Sequence, residues 1–227
     1  MAKIVILFTL SGLLVACSHN HNNEAKETPY AHYEDDEMVG TVSKIDKDNN
    51  LLEVDISEWE KRDRSGPDAA TDEGYSYEAV YSEQTEIRKE DGVSVNINDL
   101  NLGQKILVNP PRDDKEFNGE TEEIVLLEMS DEEKYSEVLS HRGDKFDVVV
   151  IYNRTIPDEL DESLLEDLDS SPVGSWIKYE KNYVVDYKDE FEIENFPVLL
   201  VFNDEKMVYK TYDAADLKKF FRDHAEE

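Results

Sequence analysis

The sequence predicts an α+β protein in two parts, a small β-barrel over residues 38–130 followed by an α/β domain over residues 145–227. Three observations predict it. Short alternating runs divided by turn residues fill the first part. Strand-like runs alternate with helix-patterned stretches in the second. A proline stands at the mouth of the apolar run "PVLLVF" at residues 197–202, where a residue without an N–H is normally avoided. The chain carries 24 Lys+Arg against 55 Asp+Glu, a formal net charge of −31 spread along its length. Such a surface repels nucleic acid and anionic headgroups, so neither is an expected partner.

Residues 4–16 are largely apolar, with Lys3 as the only charge before them and Cys17 after them. The stretch is shorter than the about 20 residues that span a bilayer, and has the length and flanks of a secretory signal. Its last four residues, "LVAC" (Leu14, Val15, Ala16, Cys17), resemble the lipobox of bacterial lipoproteins. That resemblance implies removal of residues 1–16, diacylation of the Cys17 thiol, and a lipid anchor on the extracytoplasmic face of the cell membrane. An ordinary secretory signal that happens to hold a cysteine is the alternative. Two acyl chains anchor stably where one is marginal. Cys17 is the only cysteine, so its modification leaves no thiol for a disulfide, a nucleophile or a sulfur metal site. Residues 17–37 are polar, hold His19, His21 and His32, and read as a hydrated tether.

In the first part, "MVGTVSKID" meets the turn "KDNN" and then "LLEVDIS". Asp46, Asp48 and Asn50 have the opening spacing of a calcium loop. Leu51 stands where that loop requires Gly and Ser57 where it requires Glu, so calcium is rejected there. Residues 58–74 read as a long polar loop with a helical turn at its start. "YSYEAVYS", "TEIRKED", "QKILVNPP" and "EEIVLLEM" supply further strands, and Gly103 suits a tight turn. The spacing "G-x-V-x-x-I-D … L-x-V-D … D-L-x-x-G-Q-K-I-x-V" is similar to OB-type barrels of uncharacterised Gram-positive lipoproteins. Barrels of that type often bind oligonucleotides or sugars on one face. The basic groove that nucleic acid needs is missing, and Tyr75, Tyr77 and Tyr81 are either a sugar-stacking face or strand packing. Residues 131–144 read as a capped helix and linker, with Tyr135, Val138 and Leu139 at helical spacing and "HRGDK" as the boundary.

In the second part "FDVVVIYN" is a β-branched run suited to a strand buried on both faces. "PDELDESLLEDLDSS" places Leu160, Leu164, Leu165 and Leu168 on one helical face behind Pro157. "SWIKYEKN" reads as strand and "VVDYKDEFEIE" as a short helix or turn. "PVLLVFND" and "KMVYKTYD" follow as strands, and "AADLKKFFRDH" as the last helix. This order, with Pro197 entering the penultimate hairpin, resembles the thioredoxin fold. The resemblance implies a cis peptide bond before Pro197, with Phe196 preceding it. Where that family carries two cysteines two residues apart, this chain reads "YNRTIPDEL" (residues 152–160). Dithiol exchange needs thiolates, so oxidoreductase activity does not follow from the resemblance.

No phosphate loop, H-E-x-x-H motif or nucleophile elbow occurs in the sequence. The expectation is a non-catalytic, lipid-anchored binding or scaffold protein that contacts an envelope protein or wall component and takes no cofactor and no metal. In redox thioredoxins the face around the cis-proline receives extended peptide, which implies Tyr152, Phe196 and Pro197 as peptide- or partner-contacting residues. A folding helper using that face and a divalent-cation binder are the alternatives.

Overall fold

The computed structural model describes residues 30–65, 71–113, 116–143 and 145–224. It is an α+β protein with two mixed sheets and short helices. No helix among the described residues is long and apolar enough to cross a membrane.

The first sheet contains β1 (Met38–Asp46), β2 (Leu51–Asp55), β3 (Ser76–Val80), β4 (Glu86–Lys89), β5 (Lys105–Asn109), β6 (Asn118–Glu120) and β7 (Glu123–Leu126). Their order is β4-β7-β5-β1-β2-β3-β6. The β1–β2 hairpin turns at Asp46, whose carboxylate accepts from the Asn49 N–H at 3.1 Å and from its side-chain amide at 2.9 Å. These carboxylate contacts close a turn, as Asp does when it caps its own following backbone. Alternation then places Leu52, Val54, Tyr77, Ala79 and Ile106 inward around Trp59 of α1 (Ser57–Glu60). Tyr77 and Tyr81 are 3% and 8% exposed and Tyr75 packs against the same core, so the tyrosine face is packing rather than a sugar platform. Strand β6, "NGE", has no apolar or β-branched residue and no propensity signal. It pairs parallel with β3, where Gly119 lies against Tyr77: a Cβ there would sit 2.5 Å from the tyrosine oxygen. Only Thr121 and Glu122 separate β6 from β7, which pairs with β5 and β4 at the other end of the strand order.

The second sheet contains β8 (Asp147–Tyr152), β9 (Gly174–Lys178), β10 (Val198–Phe202) and β11 (Met207–Thr211), in the order β11-β10-β8-β9. Strand β9 runs parallel to β8; β10 and β11 are antiparallel additions. Both faces are covered. Val149, Ile151, Val198, Leu200 and Phe202 point toward Val138, Tyr187 and Phe191. Val148, Val150, Leu199 and Val201 point toward Leu160, Leu164, Leu217 and Phe221. The two-sided burial explains why β8 and β10 read as unbroken apolar runs.

The helices are shorter than their apolar spacing predicts. Behind Pro157 the chain makes one 3-10 turn and then α3 (Ser163–Glu166), still burying Leu160, Leu164 and Leu168. The Asp161 carboxylate accepts from the Ser163 N–H at 2.9 Å and restarts the helix there, a local bond that competes with the helical ladder. Residues from Ser130 onward begin with a capping box of Ser130 and Glu133 on α2 (Asp131–Lys134), then continue as turns. Val138, Tyr135 and Leu139 nonetheless pack on the second core. Of the later helices, α4 (Tyr187–Glu190) is one turn capped by Asp186, and α5 (Ala214–Asp223) is capped by Asp213.

One ion pair stands apart by its burial. Arg112 meets Glu60 through two bonds of 2.7 and 2.9 Å, the side chains being 8% and 18% exposed, and lies 4.1 Å over the Phe117 ring. Removing one partner leaves a covered charge unpaired. Arg112→Ala is therefore expected to destabilise the protein by about 3 kcal/mol in denaturant unfolding. Lys134→Ala, whose partner Asp131 is 89% exposed, is expected to change stability by less than about 0.5 kcal/mol.

Candidate functional site

Of the site residues expected from the sequence, Tyr152, Phe196 and Pro197 fall at one end of the second sheet, and Cys17 lies outside the described residues with His19 and His21. Tyr152 ends β8 and Pro197 immediately precedes β10. Because Ile151 pairs with Val198, the next register step brings Tyr152 opposite Pro197. The Phe196–Pro197 bond is cis. Tyr152, Phe196 and Pro197 are all half-buried.

A fourth residue completes this ledge. The Tyr179 ring stacks on Phe196 with centroids 4.9 Å apart, and its N–H donates to the Tyr152 carbonyl at 2.7 Å. The Tyr179 hydroxyl donates to Asp186 at 3.0 Å, and burial followed by that carboxylate raises its pKa. Asp186 also caps α4, so one carboxylate orients both a helix start and the aromatic ledge. Nothing in "KYEKN" marks Tyr179 in the sequence; the alternation of β9 puts it on the same face as Ile177, and that is the signal available. Beside the ledge, β9 is one of the two outer strands of the sheet, β11 being the other. Asn153, Arg154 and Thr155, which follow β8, are exposed.

A cleft opens between the two sheets, with Ile177 and Lys178 of β9 in its lining. Its volume is about 270 Å³, and its walls include Thr41, Ser43 and Asp55 from the first part and Glu137, Tyr183 and Tyr187 from the second. The sheets are strapped together above it. The Leu102 N–H donates to the Asn182 carbonyl at 2.8 Å and the Val184 N–H to the Leu102 carbonyl at 2.7 Å. Gly103, at φ +76°, makes room for the strap: a Cβ there would lie 2.5 Å from the Tyr183 ring.

The polar groups in the cleft are not evenly satisfied. Glu137 is exposed as a residue, yet the cleft walls desolvate its carboxyl and raise its pKa, against the opposing effect of its hydrogen bond with Tyr183. Burial, with Glu137 beside it, raises Tyr183 well above the ordinary tyrosine range. Tyr187 is raised further, by burial and then by Tyr183 and Glu137. Its hydroxyl is buried with no partner in hydrogen-bond geometry, although Tyr183 lies beside it. No local pattern in the sequence marks these three residues, since their meeting depends on how the sheets dock.

His32, His141 and His224 are exposed. Among the described residues, no group of three or more His, Cys, Asp or Glu is placed to hold a metal ion. The sequence matches no protein-family model and no curated protein.

The raised pKa of Glu137 means that the folded protein holds its proton more tightly than the unfolded chain. Its ionisation therefore opposes folding at neutral pH, and that cost disappears as pH falls through the folded pKa. Glu137→Gln is expected to raise Tm at pH 7 and to have progressively less effect toward pH 4 in thermal unfolding. An unchanged Tm at pH 7 would show that the carboxyl is not desolvated.

Proposed function

We propose that this chain is a lipid-anchored, non-catalytic binding protein of the cell envelope that uses the aromatic ledge of its second domain to hold an extended peptide segment of a partner. The observation that carries the reading is the half-buried set of Tyr152, Tyr179, Phe196 and Pro197 gathered beside the outer strand β9. Aromatic side chains give large contact area at low entropic cost, and an outer strand offers unpaired backbone to an incoming one.

Two fold-level readings support it. The second sheet has a parallel β8–β9 pair, then β10 and β11 antiparallel, with a cis-proline before β10. That arrangement fits a thioredoxin-like domain, and Cys17 being the only cysteine turns such a face toward binding rather than redox exchange. In the first sheet the near-continuous β6–β7 stretch pairs with β3 on one side and with β5 on the other. The strand order itself is open, from β4 at one end to β6 at the other, and the OB-type reading rests on the short β6–β7 connection that reaches both sides of it. The sequence "LVAC" at residues 14–17 supports a diacylglyceryl anchor on Cys17 and the extracytoplasmic face of the membrane.

A photo-crosslinker placed at Tyr152, with envelope extract of the host, tests the peptide reading. One discrete crosslinked protein is expected, at least tenfold reduced by Phe196→Asp. A smear of many secreted proteins, equally reduced, identifies the same face as that of a folding helper. Crosslinking that is absent, or indifferent to Phe196→Asp, overturns a binding role for the ledge.

A further inference from the structure

The inter-sheet cleft sets a buried hydroxyl without a hydrogen-bond partner beside a carboxyl without a cation. Tyr187 is 3% exposed and its hydroxyl has no hydrogen-bond partner, a costly condition for a covered polar atom. The Glu137 carboxyl shares the cleft with Asp55 and Glu180. Lys178 is the one cationic side chain among the cleft residues, and its ammonium nitrogen already lies 3.3 Å from Glu180. The rings of Tyr183 and Tyr187, 5.2 Å apart and tilted by 38°, complete an aromatic wall.

We propose that this cleft is a binding site for a primary ammonium group, with Glu137 as counter-ion, the Tyr187 hydroxyl as neutral acceptor and the Tyr183 ring flanking the alkyl chain. An ammonium brings three donors and a charge opposite to the cleft's excess of carboxylates over Lys178. Aromatic faces add attraction for a cation held close to them. An anion meets Asp55, Glu137 and Glu180 together, and a neutral polyol leaves the Glu137 charge uncompensated. A hard divalent cation requires several converging oxygen ligands, and no such carboxylate group exists among the described residues. The volume of about 270 Å³ equals that of roughly nine liquid waters. It accommodates an alkylammonium or one lysine side chain, not a folded segment.

Desolvation holds the Glu137 carboxyl in its protonated form to higher pH than usual, and a bound cation favours the carboxylate. Binding therefore releases a proton and strengthens as pH rises through that group's titration. The other titratable groups around it are Asp55, Lys178, Glu180, Tyr183 and Tyr187; the two tyrosines remain neutral throughout that range.

The test is an NMR titration of the purified protein with n-butylammonium, Nα-acetyl-L-lysine N-methylamide and, as neutral control, 1-butanol. Saturable shifts of the Tyr183 and Tyr187 ring signals are expected with both ammonium probes and not with butanol, with affinity rising from pH 5 to pH 7. Glu137→Gln is expected to weaken binding at least tenfold, and Tyr187→Phe severalfold. Tighter binding of the lysine derivative identifies a lysine side chain of a partner as the source; equal or tighter butylammonium binding identifies a free amine. Butanol binding as well as butylammonium, or Glu137→Gln binding unchanged, overturns the proposal. The site does not rest on the peptide ledge: Phe196→Asp is expected to retain ammonium binding even if it loses a peptide partner.

Discussion

At Gly103 the backbone passes so close to the Tyr183 ring that a single methyl group would lie 2.5 Å from it. The residue also sits at φ +76°, a conformation that glycine adopts without the steric cost other residues meet. On either side of that contact run the two backbone hydrogen bonds that tie Leu102 to residues 182 and 184. The rest of the inter-sheet arrangement depends on this close approach. It sets how far Thr41, Ser43 and Asp55 stand from Glu137 and Tyr187, and so it sets the size of the cleft. It also presents Tyr183 toward Glu137, joining two groups 46 positions apart in the chain.

Charge works differently in the two parts of the candidate site. The chain's net charge of −31 is mostly borne by exposed carboxylates, which are hydrated and screened by salt within about 8 Å at physiological ionic strength. At the ledge, Asp186 is committed to the Tyr179 hydroxyl and to the start of α4, which leaves a largely apolar surface of Phe196, Pro197 and ring faces. In the cleft, Glu137 loses hydration without gaining a cation. A ligand can supply contact area at the first location and charge at the second. The acidic excess therefore has a local consequence only where burial makes it felt.

Much of the strand content was legible in the sequence because period-2 alternation and two-sided apolar runs are strong local signals. The runs around residues 38–46, 51–55 and 76–80, and the buried pair β8 and β10, all stand where their patterns put them. Strand β6 was not legible: "NGE" is a strand because β3 and Tyr77 accommodate it, not because of its own residues. The long helix read behind Pro157 is broken at Asp161, whose carboxylate binds the Ser163 N–H in a local turn that leucine spacing does not reveal. Of the candidate ledge, Tyr152, Phe196 and Pro197 follow from the resemblance of the sequence to the thioredoxin fold rather than from a local pattern. Tyr179 needed the stacking geometry, and Glu137, Tyr183 and Tyr187 needed the docking of two sheets.

Amide hydrogen exchange at Leu102 and Val184 tests the docking most directly, because these two N–H groups report the strap and nothing else. If the sheets form one unit across Gly103, both amides exchange at rates near those of the core strands β1 and β10, and they lose protection together. Exchange at the rate of exposed loops, while β1 and β10 stay protected, would mean that the sheets are joined only by the covalent chain and that the cleft between them does not persist.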